Sequence, residues 1–250
     1  MVIGDQVSRT LRYTGALLAT LLLPTALSAA PITLSASEAP QAAKYVAAVV
    51  VAGRGVVAKH QSLINDAAKG DKGFTADYLE RALRDDFAKM TGVAIDQIDS
   101  PTVRQAVEAT LDASSQAVTN NQGRINRPGI GFKGFIPAVY GRVTGNILKG
   151  TSGIELKQTT TLYRNAYNKP DAFEAAVLKR FEQGEIARGE GYGEQFANQY
   201  RYMQPIYIKE ACLSCHGDPK GELDIAGRPK EGYKVGDLRG AISVAIPLTP

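Results

Sequence analysis

Apolar residues of this chain recur first with a helical period and later with a strand period. From Ala42 to Asn65, apolar or small side chains fall at Val46, Val49, Val50, Gly53, Val56, Val57, Leu63 and Ile64, in alternating steps of three and four. That spacing predicts one long helix with a single buried stripe. Its phase leaves one more inward position between Val57 and Leu63, and the residue there is His60. "NDAAKGDKG" (65–73) ends the pattern. A second helix is expected after it, with Thr75 as N-cap, Phe74 and Leu79 as a hydrophobic staple, and Gly92 as its stop. Leu79, Leu83, Phe87 and Met90 mark its inner face. A third begins at Ser100 and Pro101, a capping residue followed by proline at the first helical position, and runs through Val103, Val107, Leu111 and Val118.

After Asn120 the pattern changes. "NNQGRINRPGIGFKGFIPAVYGRVTG" is rich in Gly, Pro and Asn, with short β-branched and aromatic runs between them. "IELKQTTTLYR" (154–164) alternates with period two and reads as a strand, and "NKPDAFEAAVLKRFEQGEIAR" reads as a helix with Phe173, Val177 and Phe181 on one side. "QYRYMQPIYI" and "GAISVAIPL" read as further strands. In the last of these Ile242, Val244 and Ile246 face one way and the small residues Ala241, Ser243 and Ala245 the other, a face able to lie close against a flat group or a helix. The expected fold class is α+β, with helices first and then a mostly antiparallel sheet.

Composition adds a location. Residues 1–30 have the marks of a cleaved signal peptide: Arg9 and Arg12, the apolar run "TGALLATLLL", Pro24, and the small-residue stretch "ALSAA". The run is too short to span a bilayer comfortably, which takes about 20 residues. No later segment reads as a membrane span, so the expected mature protein is periplasmic, residues 31–250 forming one domain. Within it, residues 42–119 are mainly helical, and 120–250 hold the sheet and the chemistry-bearing motif. The net charge of +4 falls to +3 once Arg9, Arg12 and Asp5 are removed. It is spread along the chain without the basic cluster that tracks a nucleic-acid backbone, so nucleic acid is not an expected partner.

The chain has two cysteines and two histidines, and three of these four stand together in "EACLSCHGDP" (210–219). Cys212, Cys215 and His216 match C-x-x-C-H, the attachment signature of a c-type haem. Two thiols three residues apart can reach two vinyl groups on one side of a porphyrin. The imidazole directly behind them can turn onto the iron, and Gly217 leaves room for the chain to turn away. Three alternatives use the same residues: a thioredoxin-type dithiol, a zinc site of Cys212, Cys215, His216 and His60, and a plain disulfide. The dithiol lacks an amphipathic helix after the motif, and adjacent Cys215 and His216 fit poorly on one tetrahedral ion.

One motif implies one haem. For the second face of its iron the candidate ligands are His60, Met90 and Met203, and the helical phase favours His60, so the expected iron ligands are His216 and His60. Two imidazoles favour a low-potential iron, a methionine raises the potential, and an open site takes a diatomic gas. Arg142, Lys157 and Arg164 are candidate partners for the haem propionates, and Arg164 is singled out.

Three stretches, "QTTTLYRNAYNKPDAFE", "YRYMQPIYIKEACLSCHGDP" and "GYKVGDLRGAISVAIPL", together resemble the bacterial c-type haem PAS-like domain family. The resemblance runs from about Val46 to Pro247. It rests on Arg164, Asn165, Asn168, Pro170, Asp171 and Glu174, and on Cys212, Cys215, His216 and Gly217. Members of that family occur as periplasmic sensing domains of chemoreceptors and histidine kinases and as stand-alone secreted proteins. The resemblance implies a PAS-like antiparallel sheet flanked by helices, with one covalent haem c in its pocket. Cys212 and Cys215 would take the thioether positions and His216 the proximal position. In the family the distal ligand is a residue of the N-terminal helical region, water or a cysteine. With no third cysteine a distal thiolate is excluded, and His60 is the residue position that the resemblance carries over, beside water or a vacant site.

The expected function is that of a non-enzymatic monohaem protein that senses redox state or a small gaseous ligand through iron coordination. No signalling region is read in the chain, so a sensor would report through a membrane-bound signalling partner. The alternative is a periplasmic electron carrier working with a redox partner.

Overall fold

The computed structural model describes Met1 and residues 30–250. The leader expected over residues 1–30 therefore lies, but for its two ends, outside the described residues.

Four long helices make one layer. Helix α1 (Ala39–Lys59) buries Val46, Val49, Val50, Gly53, Val56 and Val57, as its period requires. It stops at His60, where the backbone leaves the helical region (φ −100°, ψ 10°), and the chain resumes in the single turn α2 (Gln61–Ile64). One uninterrupted helix to Asn65 is thus corrected to a helix and a turn. The cause is local, since the His60 Nδ1 and backbone N–H both meet the carbonyl of Val56, at 2.8 and 3.2 Å. Helix α3 (Ala76–Thr91) starts where Thr75 Oγ1 accepts from the Tyr78 N–H at 3.2 Å and ends at Gly92 in the left-handed region, φ 76°. Helix α4 (Pro101–Thr119) starts where Ser100 Oγ accepts from the Val103 N–H at 3.2 Å. After the turn α5 (Gln122–Ile125) comes α6 (Pro137–Ser152), which crosses α4 and α1 and covers the first strand. By length and apolar character α1 could cross a membrane, but 67% of its most apolar stretch is buried among the other elements.

The sheet holds β1 (Glu155–Thr159), β2 (Tyr192–Gln195), β3 (Gln199–Tyr207) and β4 (Leu238–Pro247), in the order β1-β4-β3-β2 with every pair antiparallel. The two long strands lie in the middle and the two short ones at the edges, where unpaired backbone is least exposed. On β4, Ile242, Val244 and Ile246 are fully buried against the helical layer, completing a core that includes Phe74, Phe87, Leu111 and Tyr140. On the other face, helix α7 (Ala172–Glu182) lies over Ala241 and Met203 with Val177, Leu178 and Phe181. The small residues of β4 thus let a helix approach. Beyond the end of α7, Ser243 and Ala245 line a cleft of about 460 Å³. Lys157 and Glu174 (2.8 Å), and Arg201 and Asp171 (2.8 Å), neutralise one another there.

The architecture is the expected α+β one, an antiparallel sheet flanked by helices in a PAS-like manner, with a long N-terminal helix. Neighbouring strands β3 and β4 are joined by an insertion rather than a tight turn. It leaves β3 just past a register shift at Ile206 and Tyr207 and is pinned at its base by Ile208 N–H to Asp237 O and Gly236 N–H to Ile208 O, both 2.9 Å. This insertion carries the cysteine motif. Bulged strand ends of this kind often re-aim the chain beside a site.

Candidate functional site

The motif forms its own helix, α8 (Glu210–His216). Cys212, Cys215 and His216 stand at positions i, i+3 and i+4, so all three project from one side of it. The Cys212 N–H bonds Lys209 O at 2.8 Å, opening the helix. Gly217 closes it with its N–H on Leu213 O at 2.8 Å. A Cβ at Gly217 would sit 2.8 Å from that same carbonyl, so the exit is shaped for glycine. The thiols are free and half-buried. Burial pushes the Cys215 thiol up from its ordinary value. A redox dithiol relies on the opposite shift.

The His216 ring is held from one side. Its Nδ1 lies 2.8 Å from Glu231 Oε2. Burial pushes the Glu231 carboxyl up, but hydrogen bonds from Arg164 and His216 outweigh that and keep it below the usual carboxylate range, so it is ionised at neutral pH. An ionised carboxylate can only accept, which makes Nδ1 the donor and leaves the lone pair on Nε2. Burial, with Arg239 nearby, pushes the imidazole below its ordinary value despite Glu231, so the ring is neutral at pH 7. A neutral imidazole with a fixed Nδ1 proton and an open Nε2 is a competent metal ligand.

Around this pair the insertion is tied to the domain by one side chain. Arg164, in the loop after β1, donates from Nε to Glu231 Oε1 (2.6 Å) and from Nη2 to Glu231 Oε2 (2.7 Å). It also donates from Nη1 to Asp224 Oδ2 (2.6 Å), and from Nη2 to the carbonyls of Cys215 (2.7 Å) and Pro229 (2.9 Å). Asp224 is prepared for this role, since its Oδ1 accepts the N–H groups of Ala226 (2.8 Å) and Arg228 (2.9 Å) in a tight turn. Arg239 of β4 donates to Thr160 Oγ1 at 3.1 Å and reaches Glu231 Oε1 at 3.7 Å. From the other layer Arg54 of α1, bonded to Pro137 O at 3.2 Å, is pushed down to about 10 by burial and by Arg239.

Of the residues singled out in the sequence, Cys212, Cys215 and His216 are brought together and Arg164 joins them. Arg164 does so on the side of the His216 Nδ1, with all three guanidinium nitrogens engaged by protein acceptors. Of the other two candidates, Lys157 is engaged by Glu174 and by Lys169 O (2.6 Å). His60 is engaged within the helical layer. Its Nε2 meets the Tyr78 hydroxyl at 2.9 Å, its Nδ1 meets Val56 O, and the ring packs on Phe74 and Tyr78 with centroids 5.3 and 5.2 Å away. Met203 is fully buried beneath α7, and Met90, expected on an inner face, is 51% exposed near the end of α3. Among the described residues no three His, Cys, Asp or Glu side chains are grouped to hold a metal ion, so the zinc set is not assembled. Glu231, Asp224, Arg239 and Arg54 were not anticipated. Only Asp224 carries a local signal, an Asx-turn residue ahead of Gly227.

No curated protein matches the chain. Among solved structures it is similar to the crystal structure of the cyanobacterial heme-protein Tll0287, with 21% sequence identity and a TM-score of 0.41, over 60% of this chain and 98% of that one. The profile of the family described as "Tll0287-like: Tll0287" matches residues 34–247, which takes in both layers and the whole insertion. The chain belongs to the Tll0287-like family.

Proposed function

We propose that this is a periplasmic protein that binds one haem c, attached through Cys212 and Cys215 and ligated at the iron by His216, and that it acts as a sensor rather than an enzyme. The observation that carries the reading is the state of the motif. Two free thiols and an imidazole share one side of α8, and the imidazole has its Nδ1 proton committed to Glu231 and its Nε2 open. The residues fit the group: thiols for thioether bonds, a neutral nitrogen donor for iron, and a glycine exit that lets the chain leave. The solved relative is described as a heme-protein, which agrees with the motif.

An iron ligated by His216 alone would supply a position where a diatomic gas can bind. The other imidazole and thioether candidates bear on this choice. His60 has both nitrogens engaged, Met203 is buried under α7, and Met90 is exposed on α3. Arg54, which approaches from α1, carries a guanidinium with no lone pair to donate. This favours a ligand sensor, whose report would pass through α1 or the insertion to a membrane-bound signalling partner. An electron carrier is the second reading, favoured by the half-exposed thiols, since bonds made to them lie near solvent where a redox partner can approach.

The test is a pyridine haemochrome spectrum and intact mass of protein exported from cells with a working cytochrome-maturation apparatus, followed by reduced spectra with and without carbon monoxide. Thioether-linked haem at one per chain and a carbon monoxide shift are expected. A bare-polypeptide mass overturns the haem reading. Attached haem that ignores carbon monoxide overturns the sensor in favour of the carrier.

A further inference from the structure

We propose that Glu231 is a positioning residue that gives the His216 imidazole anionic character and so holds iron bound at its Nε2 toward the ferric state. This rests on the haem reading above. Histidines that ligate a metal commonly pass their other N–H to a backbone carbonyl, a water or a carboxylate, and the acceptor sets how much electron density the ring can donate. Here the acceptor is a carboxylate, at 2.8 Å.

Its placement is over-determined. Glu231 is 15 residues beyond His216 in sequence, on the return arm of the insertion, and its side chain is only 17% exposed. Arg164 grips both its oxygens at 2.6 and 2.7 Å in the fork geometry that fixes a carboxylate in plane and angle. The same guanidinium holds the carbonyl of Cys215, the residue just before His216, at 2.7 Å. One side chain therefore sets the register of the carboxylate against the imidazole. The backbone repeats the tie, since the Tyr233 N–H bonds His216 O at 2.9 Å.

The charges facing the pair are Arg164, Arg239 and Asp224, with Arg54 approaching from α1. Two arginines share the negative charge of Glu231, which tempers the push it gives the ring without removing it. Deleting that charge should therefore have a moderate effect, about tenfold on the equilibrium constant for reduction, which for one electron is about 59 mV. The sign follows from charge: the ferric centre is the more positive one and loses more when the carboxylate is neutralised, so the midpoint potential rises.

The experiment compares wild type with Glu231→Gln, which keeps an acceptor of the same shape, and Glu231→Asp, which keeps the charge at shorter reach. All three are exported from cells able to mature c-type cytochromes. Haem content is read first. At equal haem content, Glu231→Gln should raise the midpoint by about tenfold in the equilibrium constant and lower the iron–histidine stretching frequency of the reduced protein. Glu231→Asp should restore part of both. A merely structural latch would leave potential and stretch at wild-type values in Glu231→Gln, and that result overturns the proposal. Nitrogen-15 spectra of the wild-type full chain without haem supply a check that needs neither variant nor cofactor. The proton of His216 should reside on Nδ1, and a proton found on Nε2 overturns the proposal. Haem missing from all three proteins would sink the haem reading itself, while the nitrogen spectra would still decide whether Glu231 fixes the proton of His216 on Nδ1.

Discussion

Replacing Arg164 with alanine should open the insertion between β3 and β4 while leaving the helical layer closed. The guanidinium makes five hydrogen bonds, to Glu231 twice, to Asp224, and to the carbonyls of Cys215 and Pro229. Its own side chain is 22% exposed, that of Asp224 1% and that of Glu231 17%. Removing one partner of such a buried pair costs about 3–5 kcal/mol, because the charge left behind has no compensation. Asp224 keeps the N–H groups of Ala226 and Arg228, and Glu231 keeps His216, so the cost lies near the lower end, about 3 kcal/mol. Arg164 is outside the main core, so the loss should appear as local opening rather than global unfolding. Hydrogen exchange reads this directly. The amides of Gly221, Asp224, Lys230 and Tyr233 close the insertion and should exchange roughly 150-fold faster, at about 1.4 kcal/mol per tenfold. Amides within α1 and α4 should keep nearly their wild-type rates. Lysine should not restore protection, since an ammonium offers three donors as a point charge where the guanidinium offers five in a fixed fork. Wild-type exchange in the insertion of the alanine variant, or equal acceleration everywhere, would refute the view that this side chain is the knot.

His60→Ala should lower the urea midpoint by the equivalent of about 1–2 kcal/mol through loss of the Tyr78 hydrogen bond and the ring contacts. In haem-loaded protein it should leave the absorption spectrum unchanged in both oxidation states, and a Soret shift would place His60 at the iron. Gly53→Ala should destabilise by about 2 kcal/mol in thermal melts: its Cβ would overlap the buried Tyr140 hydroxyl and ring, and overpacking outweighs the gain of about 1 kcal/mol in helix propensity. Tyr140→Phe should recover part of that loss in the double variant, and full stability of Gly53→Ala alone would contradict the contact. Asp224 is pushed up by burial, but the Arg228 and Ala226 N–H groups and Arg164 hold it below 3.8. Its folded value thus lies below its unfolded one, so the stability it adds is fully present above about pH 4 and fades as pH falls through the folded value. Urea midpoints from pH 7 to pH 2 should drop in that window for wild type, whereas Asp224→Asn should be weaker at neutral pH and flatter below 4.

How far the sequence foretold this molecule can be judged element by element. Helices α3 and α4 were legible to the residue, because Thr75, Gly92 and Ser100 act through bonds to their own neighbours. The facing of β4 was legible because its period is two and one side is buried. Helix α6 was not. Its first half lies in the Gly-, Pro- and Asn-rich stretch 120–145, where no helix was expected, yet a Cβ at Gly145 would stand 2.5 Å from Leu156 O and one at Gly141 2.9 Å from the Gln158 side chain. Those glycines let a helix lie hard against β1, and tertiary contact overrode propensity. Within the site the motif itself was plain, because its three residues are neighbours. Glu231 and Arg239 were invisible, since their meaning depends on which strands pair and where the insertion folds back. His60 shows a related limit of sequence reading. Helical phase says which way a side chain leaves the axis, and it is silent on whether Tyr78 stands there to meet it.

Helix α8 contributes no fully buried side chain, whereas the bundle and the central strands close over a continuous apolar interior of their own. Biogenesis can therefore run in two stages. Were haem joined to the thiols as proposed, an enzyme working on them would meet a half-buried turn outside the main core instead of chasing a collapsing chain.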